Sequence, residues 1–415
     1  MEAWDVVVIG AGAAGLLAAT HAAERHRKTL LLEKNRKPGV KILMSGGTRC
    51  NLTQATDRRG IVAAFGAQGR FLHSALAALD PQALVALVEA EGVATKVEPT
   101  GKIFPASDRA ADVLAALLNR LNRSGCQVVF DTPCQAIAHD PAQGFRLTTG
   151  SGTIWARRVI VTTGGRSYPG CGTNGDGYAW AAQWGHTIIP CRPALTPITV
   201  AAAWVAGLKG VTVSDVGVEV VERAPGGRRG QVLAQGRGSM LFTHFGVSGP
   251  VVLNVSRAVS GHARPTDLEL RCNFAPDLAA AELDGQWREL AASAGGRAVS
   301  SVFPAVVPRR LAAALLDQAG VPGDQRLAEL AAPARRRLID HILALALPIS
   351  GTLGFEKAEV TAGGVSLNEV DSRTLESKLV PGLFFAGEVL DLDGPIGGYN
   401  FQAAFSTGWL AGGSV

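Results

Sequence analysis

The strongest constraint on this chain lies in residues 5–33. An apolar strand, Asp5–Ile9, runs into Gly10-Ala-Gly12-Ala-Ala-Gly15, and an apolar helix follows from Leu16. A second apolar strand, Thr29–Leu32, ends in Glu33. Gly10 permits a tight turn. Gly12 lets backbone N–H groups approach a pyrophosphate, and Gly15 lets helix and strand pack closely. The helix N-terminus, with the backbone of Ala13 and Ala14, then turns its positive end to the phosphates. Glu33 stands where a carboxylate accepts from ribose hydroxyls. The segment predicts a βαβ unit that binds an adenine dinucleotide. By itself it does not separate NAD from FAD.

At 415 residues the chain can form two or three domains with a large core. Its 47% hydrophobic and 18% charged content fits a soluble globular enzyme. No apolar run reaches the roughly 18–20 residues that span a bilayer. The N-terminal glycines sit at fingerprint positions without a basic leader, which argues against a signal peptide. Cys50, Cys126, Cys134, Cys171, Cys191 and Cys272 are scattered without a CxxC. That pattern excludes a disulfide framework, a zinc site and a dithiol pair, and points to a reducing cytoplasm. The net charge is +5, but Arg223, Arg228, Arg229 and Arg335–Arg337 are dispersed with few aromatics nearby. They read as solvated faces, not as a nucleic-acid site. The expected partner is a small-molecule substrate, with neither nucleic acid nor membrane, bound by a monomer or homodimer.

Along the chain, Lys34–Thr53 reads as a long loop. Helices are predicted over Pro81–Glu91 and Ser107–Asn122, the latter capped by Ser107 or Asp108. A strand at Gln127–Phe130 precedes an antiparallel meander of Gln135–His139, Phe145–Thr149 and Thr153–Arg157. A buried strand, Arg158–Thr162, then ends in Thr163-Gly164-Gly165. Residues 191–275 read as β, and 277–345 as helices that include Arg309–Gln318 and Ala334–Leu345. From about Glu359 β character returns. The tail holds a strand from Leu383 into Gly387-Glu388, then a helical stretch, Asn400–Ala411. The organisation is a nucleotide domain of residues 1–190 and 351–415, interrupted by an insert of residues 191–350.

In a parallel sheet, ligands sit at the carboxyl ends of strands. Turns at Gly10, Thr163 and Gly387 therefore suit a cofactor stretched across the sheet, as FAD is in glutathione-reductase-like flavoproteins. Glu388 is placed to bond a ribityl chain. The following helix is placed to point its N-terminus at the flavin N1–C2=O side, where the reduced state carries negative charge.

The segments GVKILMSGGTRCNLT, TTGGRSYPGCGTNGDGYAWAAQWGH, LFTHFGVSGPVVLN and GLFFAGEVLDLDGPIGGYNFQAAFSTGWLAG resemble the BaiN/YhiN-type NAD(P)/FAD-dependent oxidoreductases. That family also carries the label aminoacetone oxidase family FAD-binding enzyme. The resemblance runs from residue 1 to about 412. It implies an α/β fold: a glutathione-reductase-like FAD-binding Rossmann domain with a parallel sheet and a small antiparallel meander. A β-rich insert, 191–275, would interrupt it and carry a helical cap at about 277–345. The resemblance implies that Gly10, Gly12, Gly15, Glu33 and Lys34 hold the ADP half. It implies that Lys41, Ser45, Gly46, Gly47, Arg49, Cys50 and Asn51 line the pyrophosphate and flavin side, with Cys134 among the cofactor contacts. Thr163, Gly164, Gly165, Asp176 and Gly177 would form the middle loop. Gly387, Glu388, Gly397, Gly398, Tyr399, Asn400 and Phe401 would close over the flavin. Thr48 stands where the family usually has a third glycine, which costs backbone freedom.

Gly170-Cys-Gly172-Thr-Asn-Gly175 also spells GxGxxG, but no strand precedes it and no acid follows at the required distance. It reads as part of a flavin-contacting loop. NAD(P)H would therefore dock transiently instead of occupying a domain of its own. His244, Tyr168 and Tyr399 are the candidates for proton transfer, each with a structural role as the alternative. Cys50 reads as a packing or cofactor contact. Arg166 reads as a surface residue with substrate binding as its alternative, and Asp391 and Asp393 as turn formers. The expected function is a FAD-dependent oxidoreductase that exchanges a hydride between flavin N5 and a small organic substrate, with NAD(P)H as transient donor. An O2-using amine oxidase, a nucleic-acid-modifying flavoprotein and a non-catalytic flavoprotein are the alternatives. The residues alone do not choose among them.

Overall fold

The computed structural model describes residues 3–223, 229–303 and 307–415. The chain forms two compact units, Met1–Pro193 with Glu359–Val415, and Ala194–Ala358. Composition alone placed the changes of character at about 190 and 351.

The first unit is built on the strand Trp4–Ile9, whose Val6, Val7 and Val8 are fully buried. Burial on both faces is typical of a central parallel strand. It pairs in parallel with Thr29–Leu32 on one side and with Gly152–Val161 on the other. Gln127–Val129 and Leu383–Phe385 extend the parallel sheet outward. Ile9 lies opposite both Leu32 and Val161, Leu32 opposite Val129, and Val161 opposite Phe385. Five strands thus end at one level, and their following turns open on one edge.

Gly152–Val161 is one strand of 10 residues, where the sequence suggested two, Thr153–Arg157 and Arg158–Thr162. Its first half pairs antiparallel with Gly144–Thr149, which in turn pairs with Cys134–Asp140. Its second half takes Leu383–Phe385 in parallel. One extended segment can serve both, because successive stretches of its hydrogen-bonding edge are independent. Two other expectations are corrected. Lys34–Thr53 is not all loop, since Val40–Thr48 is helical with a break at Ser45–Gly47. The helix predicted from Ser107 starts at Ala110 with Arg109 as N-cap. Asp108 cannot cap it, because Asp108 has φ +54° and its carboxylate is held by Arg49 and Lys96.

The first helix, Ala13–Glu24, packs on the last, Tyr399–Ser414. A Cβ at Gly408 would lie 2.1 Å from the Ala14 carbonyl oxygen, and one at Gly412 would lie 2.3 Å from that of Ala18. The two backbones therefore touch without side chains between them. Outside this seam the His21 ring stacks on Trp409 at 3.9 Å.

In the second unit, Ile198–Val200, Gly246–Ser248, Arg229–Phe242, Thr212–Arg223, Leu268–Asn273 and Leu345–Thr352 close into a six-stranded barrel. The region 191–275 is not all β, because Pro250–Ser260 is a helix. Its valines are good strand formers, but Val251, Val252, Val255 and Val259 share one buried helical face. Pro250 at its first turn favours the helix start. The helices Ala280–Ala294, Arg309–Ala319 and Ala332–Ala344 complete this unit's core around Trp287, which is 1% exposed. Among the described residues, no single helix is long and apolar enough to cross a membrane.

Replacing a helical glycine by alanine ordinarily stabilises by about 1 kcal/mol. At Gly408 the sign is expected to reverse. Gly408→Ala should lower the unfolding free energy by about 1–3 kcal/mol through overpacking. Urea denaturation reads this directly, and an unchanged or raised midpoint would contradict the close helix contact.

Candidate functional site

The opening turn divides its glycines by task. Gly10 has φ +103°, and a Cβ on Gly15 would sit 1.8 Å from the Gly10 carbonyl oxygen. The hydroxyl of Thr162 donates to the carbonyls of Ile9 and Gly10, each at 2.9 Å, and so ties the first strand end to the middle one. Gly12 differs, since nothing lies within 4 Å of the Cβ it lacks. It caps the first helix without a side-chain bond, and the first turn holds no acid. The N–H end beside Ala13 and Ala14 is thus kept free of protein anions.

Glu33 is 6% exposed. Its carboxylate accepts from the Ala11 N–H at 2.7 Å and the Asn35 N–H at 2.8 Å. Each oxygen keeps lone-pair capacity for a ribose hydroxyl. Lys34 Nζ pairs with Asp176 Oδ2 at 2.5 Å and joins the first and middle loops. Cys134 opens the strand Cys134–Asp140, where burial pushes its thiol up to about 12.

After Met44 the helix breaks. Gly46, Gly47 and Thr48 are all left-handed, with φ of +57°, +69° and +70°, and Cys50 follows at +61°. Thr48 therefore adopts the glycine-like conformation that its β-branched side chain resists. Its hydroxyl donates to the Gly47 carbonyl at 2.6 Å. Arg49 is committed to protein partners: Nη1 reaches Glu98 at 2.6 Å and Asp108 at 3.3 Å. Its guanidinium lies 4.0 Å over Phe104. It clamps the turn to the hairpin of Thr95–Val97 and Lys102–Pro105. Cys50 is fully buried, and burial pushes its thiol up to about 12, so it stays protonated at neutral pH. Asn51 accepts from the Gly398 N–H at 3.0 Å and donates to the Thr53 carbonyl at 3.1 Å. It links the opening loop to the start of the last helix.

Three segments meet at Glu388. Its Oε2 accepts from Lys41 Nζ at 2.5 Å, and Oε1 accepts from Ser167 Oγ at 2.5 Å and the Thr361 N–H at 3.0 Å. Lys41 also donates to Ser167 Oγ at 2.6 Å. The Thr361 hydroxyl accepts from the N–H groups of Arg166 at 2.8 Å and Ser167 at 3.0 Å. Gly165 must lack a side chain here, because a Cβ would lie 2.4 Å from the Thr361 hydroxyl. Ser167 and Thr361 were not identified from sequence. The available cue was Gly363-Gly364 beside Thr361, both at positive φ with no room for a Cβ.

The middle loop keeps Gly164 at φ +74°. The Thr163 hydroxyl is buried without a hydrogen-bonding partner among the described residues. Gly177 packs against it, since a Cβ would lie 2.4 Å from that oxygen. In the tail, a Cβ on Gly387 would be 2.8 Å from Ala14 Cβ, and Gly397 and Gly398 both have positive φ. Asn400 accepts from the Gly394 N–H at 2.8 Å and donates to the Gly394 carbonyl at 2.9 Å, which fixes the preceding loop. The last helix begins without a side-chain cap or a first-turn acid. Phe401 stacks on Phe405 at 5.8 Å.

The remaining candidates spread out. Tyr399 is half-buried at the start of the last helix, and burial pushes its hydroxyl up. Tyr168 is left-handed at φ +57°, and Arg166 is exposed. The Asp391 carbonyl accepts from Gln68 Nε2 at 2.7 Å and its N–H donates to the Val365 carbonyl at 3.0 Å, and Asp393 is 6% exposed. His244 belongs to the second unit, exposed between Arg229–Phe242 and Gly246–Ser248, with its ring edge-on to Phe245 at 5.0 Å.

This arrangement fits FAD. The open backbone at Gly12, two uncapped helix starts, spare acceptor capacity on Glu33 and the unpartnered Thr163 hydroxyl would hold the extended cofactor. The first-turn glycines give a paired test. Gly12→Ala is expected to fold like the parent and to weaken FAD binding at least tenfold, read by flavin fluorescence titration. Gly15→Ala is expected to lose thermal stability even without FAD, by about 1–3 kcal/mol. Equal FAD affinity in Gly12→Ala would remove the pyrophosphate from that opening.

Comparison with known proteins places this geometry. Residues 4–414 match the family described as HI0933-like protein Rossmann domain. The chain is 34% identical over 409 residues to the ribosomal RNA dihydrouridine synthase of Escherichia coli (strain K12), covering 99% of this chain and 97% of that protein. It is 32% identical over 409 residues to the 3-dehydro-bile acid delta(4,6)-reductase of Clostridium scindens, covering 98% of this chain and 97% of that protein. Among solved structures, 3-ketosteroid delta1-dehydrogenase from Sterolibacterium denitrificans aligns with a TM-score of 0.51 at 15% identity, covering 99% of each chain, a likeness of fold alone. With the family matched over nearly its whole length and the strand-end site in place, the chain belongs to the HI0933-like family of FAD-dependent oxidoreductases.

Proposed function

We propose that this protein reduces a carbon–carbon double bond conjugated to a carbonyl, with NAD(P)H as electron donor. We further propose that its substrate is a uracil of ribosomal RNA. The observation that carries this reading is a reaction class common to two relatives. A dihydrouridine synthase and a delta(4,6)-reductase both add hydrogen across a double bond that a carbonyl polarises, although their substrates differ widely. The relative of higher identity acts on RNA, so the earlier preference for a small molecule gives way to an RNA base.

The site suits this chemistry. FAD supplies the hydride. The uncapped start of the last helix favours negative charge near it, which supports the reduced state. Lys41, Ser167 and Thr361 hold Glu388 in one orientation for the ribityl hydroxyls. Glu33 and the Gly12 opening anchor the far end.

Two measurements test the reading. In anaerobic stopped-flow, NADH or NADPH is expected to bleach the oxidised flavin band. If neither bleaches it while an amine does, the oxidase alternative replaces the reductase. In an Escherichia coli strain deprived of its own relative, expression of this chain is expected to restore dihydrouridine to ribosomal RNA, read by nucleoside mass spectrometry. Bleaching without restored dihydrouridine, joined to reduction of a conjugated steroid ketone, would overturn the RNA substrate and keep the reaction class.

A further inference from the structure

We propose that a cleft on the barrel of the second unit binds an unpaired guanine of the RNA substrate. The proposal rests on the reading that the chain acts on ribosomal RNA, and it names what part of that RNA the barrel recognises.

The cleft encloses about 650 Å3, a volume ample for a nucleotide. It lies across three neighbouring strands, Arg229–Phe242, Thr212–Arg223 and Leu268–Asn273. Gly217 stands opposite Arg237 and Asn273, and Glu219 stands opposite Gln235 and Arg271. Cross-strand partners, and residues two apart on one strand, share a face of a sheet. These six positions therefore form one patch on the outside of the barrel. Val218 and Cys272 between them turn inward and are 1% and 0% exposed. Leu343 and Ala344, at the end of the helix Ala332–Ala344, add an apolar side to the cleft.

The two arginines are held in opposite ways. Arg237 Nε and Nη2 donate to Asp215 at 2.8 and 2.6 Å, and Nη1 and Nη2 donate to Asp277, each at 2.7 Å. Two carboxylates thus occupy its edge and fix its plane. Its faces remain for a ligand, and a guanidinium face is a stacking platform for a base. Arg271 gives only Nε to the protein, donating to Glu269 at 2.6 Å. Its Nη1 and Nη2 make no hydrogen bond among the described residues. Such a free fork is the group that pairs with N7 and O6 of guanine. Asn273 uses Oδ1 to accept from the Ala275 N–H at 3.0 Å, which leaves its Nδ2 to donate. The Gln235 amide makes no hydrogen bond among the described residues, so its carbonyl is available to the guanine amino group.

Charge argues for a base over a phosphate. Arg237 and Arg271 are answered by Asp215, Asp277 and Glu269, and Glu219 lines the cleft as well. No excess of positive charge is left to attract an anion. A plane, a fork and two amides suit a neutral heterocycle with two adjacent acceptors. Adenine presents an acceptor beside a donor at those positions, and uracil has no N7.

Gly217 forms the floor. It does not have positive φ, and a Cβ there would meet Asn273 Cβ at 3.6 Å, Pro276 Cβ at 3.9 Å and the Asn273 carbonyl oxygen at 4.0 Å, all ordinary contacts. Neither backbone nor packing demands a glycine. A glycine in mid-strand also forgoes side-chain packing, and what it gains here is open space beside Arg237. Gly217→Val therefore fills the cleft with a good strand former.

The test measures binding of full-length, FAD-loaded protein to fluorescein-labelled, unstructured RNA of about ten nucleotides, by anisotropy. Oligouridine with one central guanine is expected to bind about tenfold or more tighter than oligouridine alone. Replacing that guanine by 7-deazaguanine should remove most of the preference, because the fork loses one acceptor. Arg271→Lys keeps the charge without the fork, and Gly217→Val blocks the space. Both are expected to bring the guanine oligonucleotide to the oligouridine level, while FAD content and melting temperature match the parent. No guanine preference in the parent, or a preference that survives both substitutions, would overturn the site. Guanosine monophosphate binding as tightly as the oligonucleotide would assign the cleft to a free nucleotide and overturn the RNA assignment. Dihydrouridine formed without any guanine preference would overturn the site and leave the RNA reading intact. Guanine-selective binding with no dihydrouridine formed would overturn the uracil-reduction reading and leave the site standing.

Discussion

Backbone contact between the first and last helices is the constraint on which the rest of the first unit depends. Gly408 and Gly412 lie against the carbonyls of Ala14 and Ala18, where a Cβ would penetrate to 2.1 and 2.3 Å. The end of the chain is pinned as well. Val415 is 2% exposed, and Arg27 Nε donates to its carbonyl oxygen at 3.1 Å. Because the last helix must dock there, Leu383–Phe385 enters the sheet beside Gly152–Val161. Gly387 then passes over Ala14, and Glu388 arrives next to Lys41. A site assembled from residues far apart in sequence thus follows from one seam of small residues.

Electrostatics divides that site into two halves. The first turn of the opening helix carries no acid and no side-chain cap, which leaves its N–H groups to an outside phosphate. At Glu388 the protein does the reverse and satisfies a half-buried carboxylate with Lys41, Ser167 and a backbone N–H. A partly buried charge needs several partners at once, and losing one strands the rest. The Lys41–Glu388 pair is therefore a fixed piece of the site and not an adjustable surface contact. The strained run Gly46–Thr48 is fixed by similar means. Arg49 reaches Glu98, Asp108 and Phe104 and holds the turn from outside.

The thiols are held in surroundings that favour the protonated form. All six cysteines are free, and burial pushes Cys50, Cys126, Cys134 and Cys272 up to about 12. Protonated thiols are poor nucleophiles and poor redox partners.

Local features were legible in the chain. The turn Gly10–Gly15, the acid at Glu33 and the strand ends at Thr163 and Gly387 depend on backbone geometry that a few residues determine by themselves. A glycine that must take positive φ or lack a Cβ is visible without its neighbours. Thr48 stands where a glycine is usual, and only the structure showed that it takes the left-handed conformation. Other features depended on distant partners. The helix Pro250–Ser260 overrides the β preference of its valines because one face of it is buried in the second unit's core. Arg49 was expected against the cofactor and is taken by two carboxylates, of Glu98 and Asp108, in other segments. Ser167 carries no local mark and Thr361 only the neighbouring Gly363-Gly364, since the significance of both is their distance from Glu388. The sequence by itself determined the glycine turn and βαβ unit of a dinucleotide-binding fold, because backbone conformation is local. Only the tertiary structure decided which side chains hold Glu388, because those hydrogen bonds come from neighbours far along the chain.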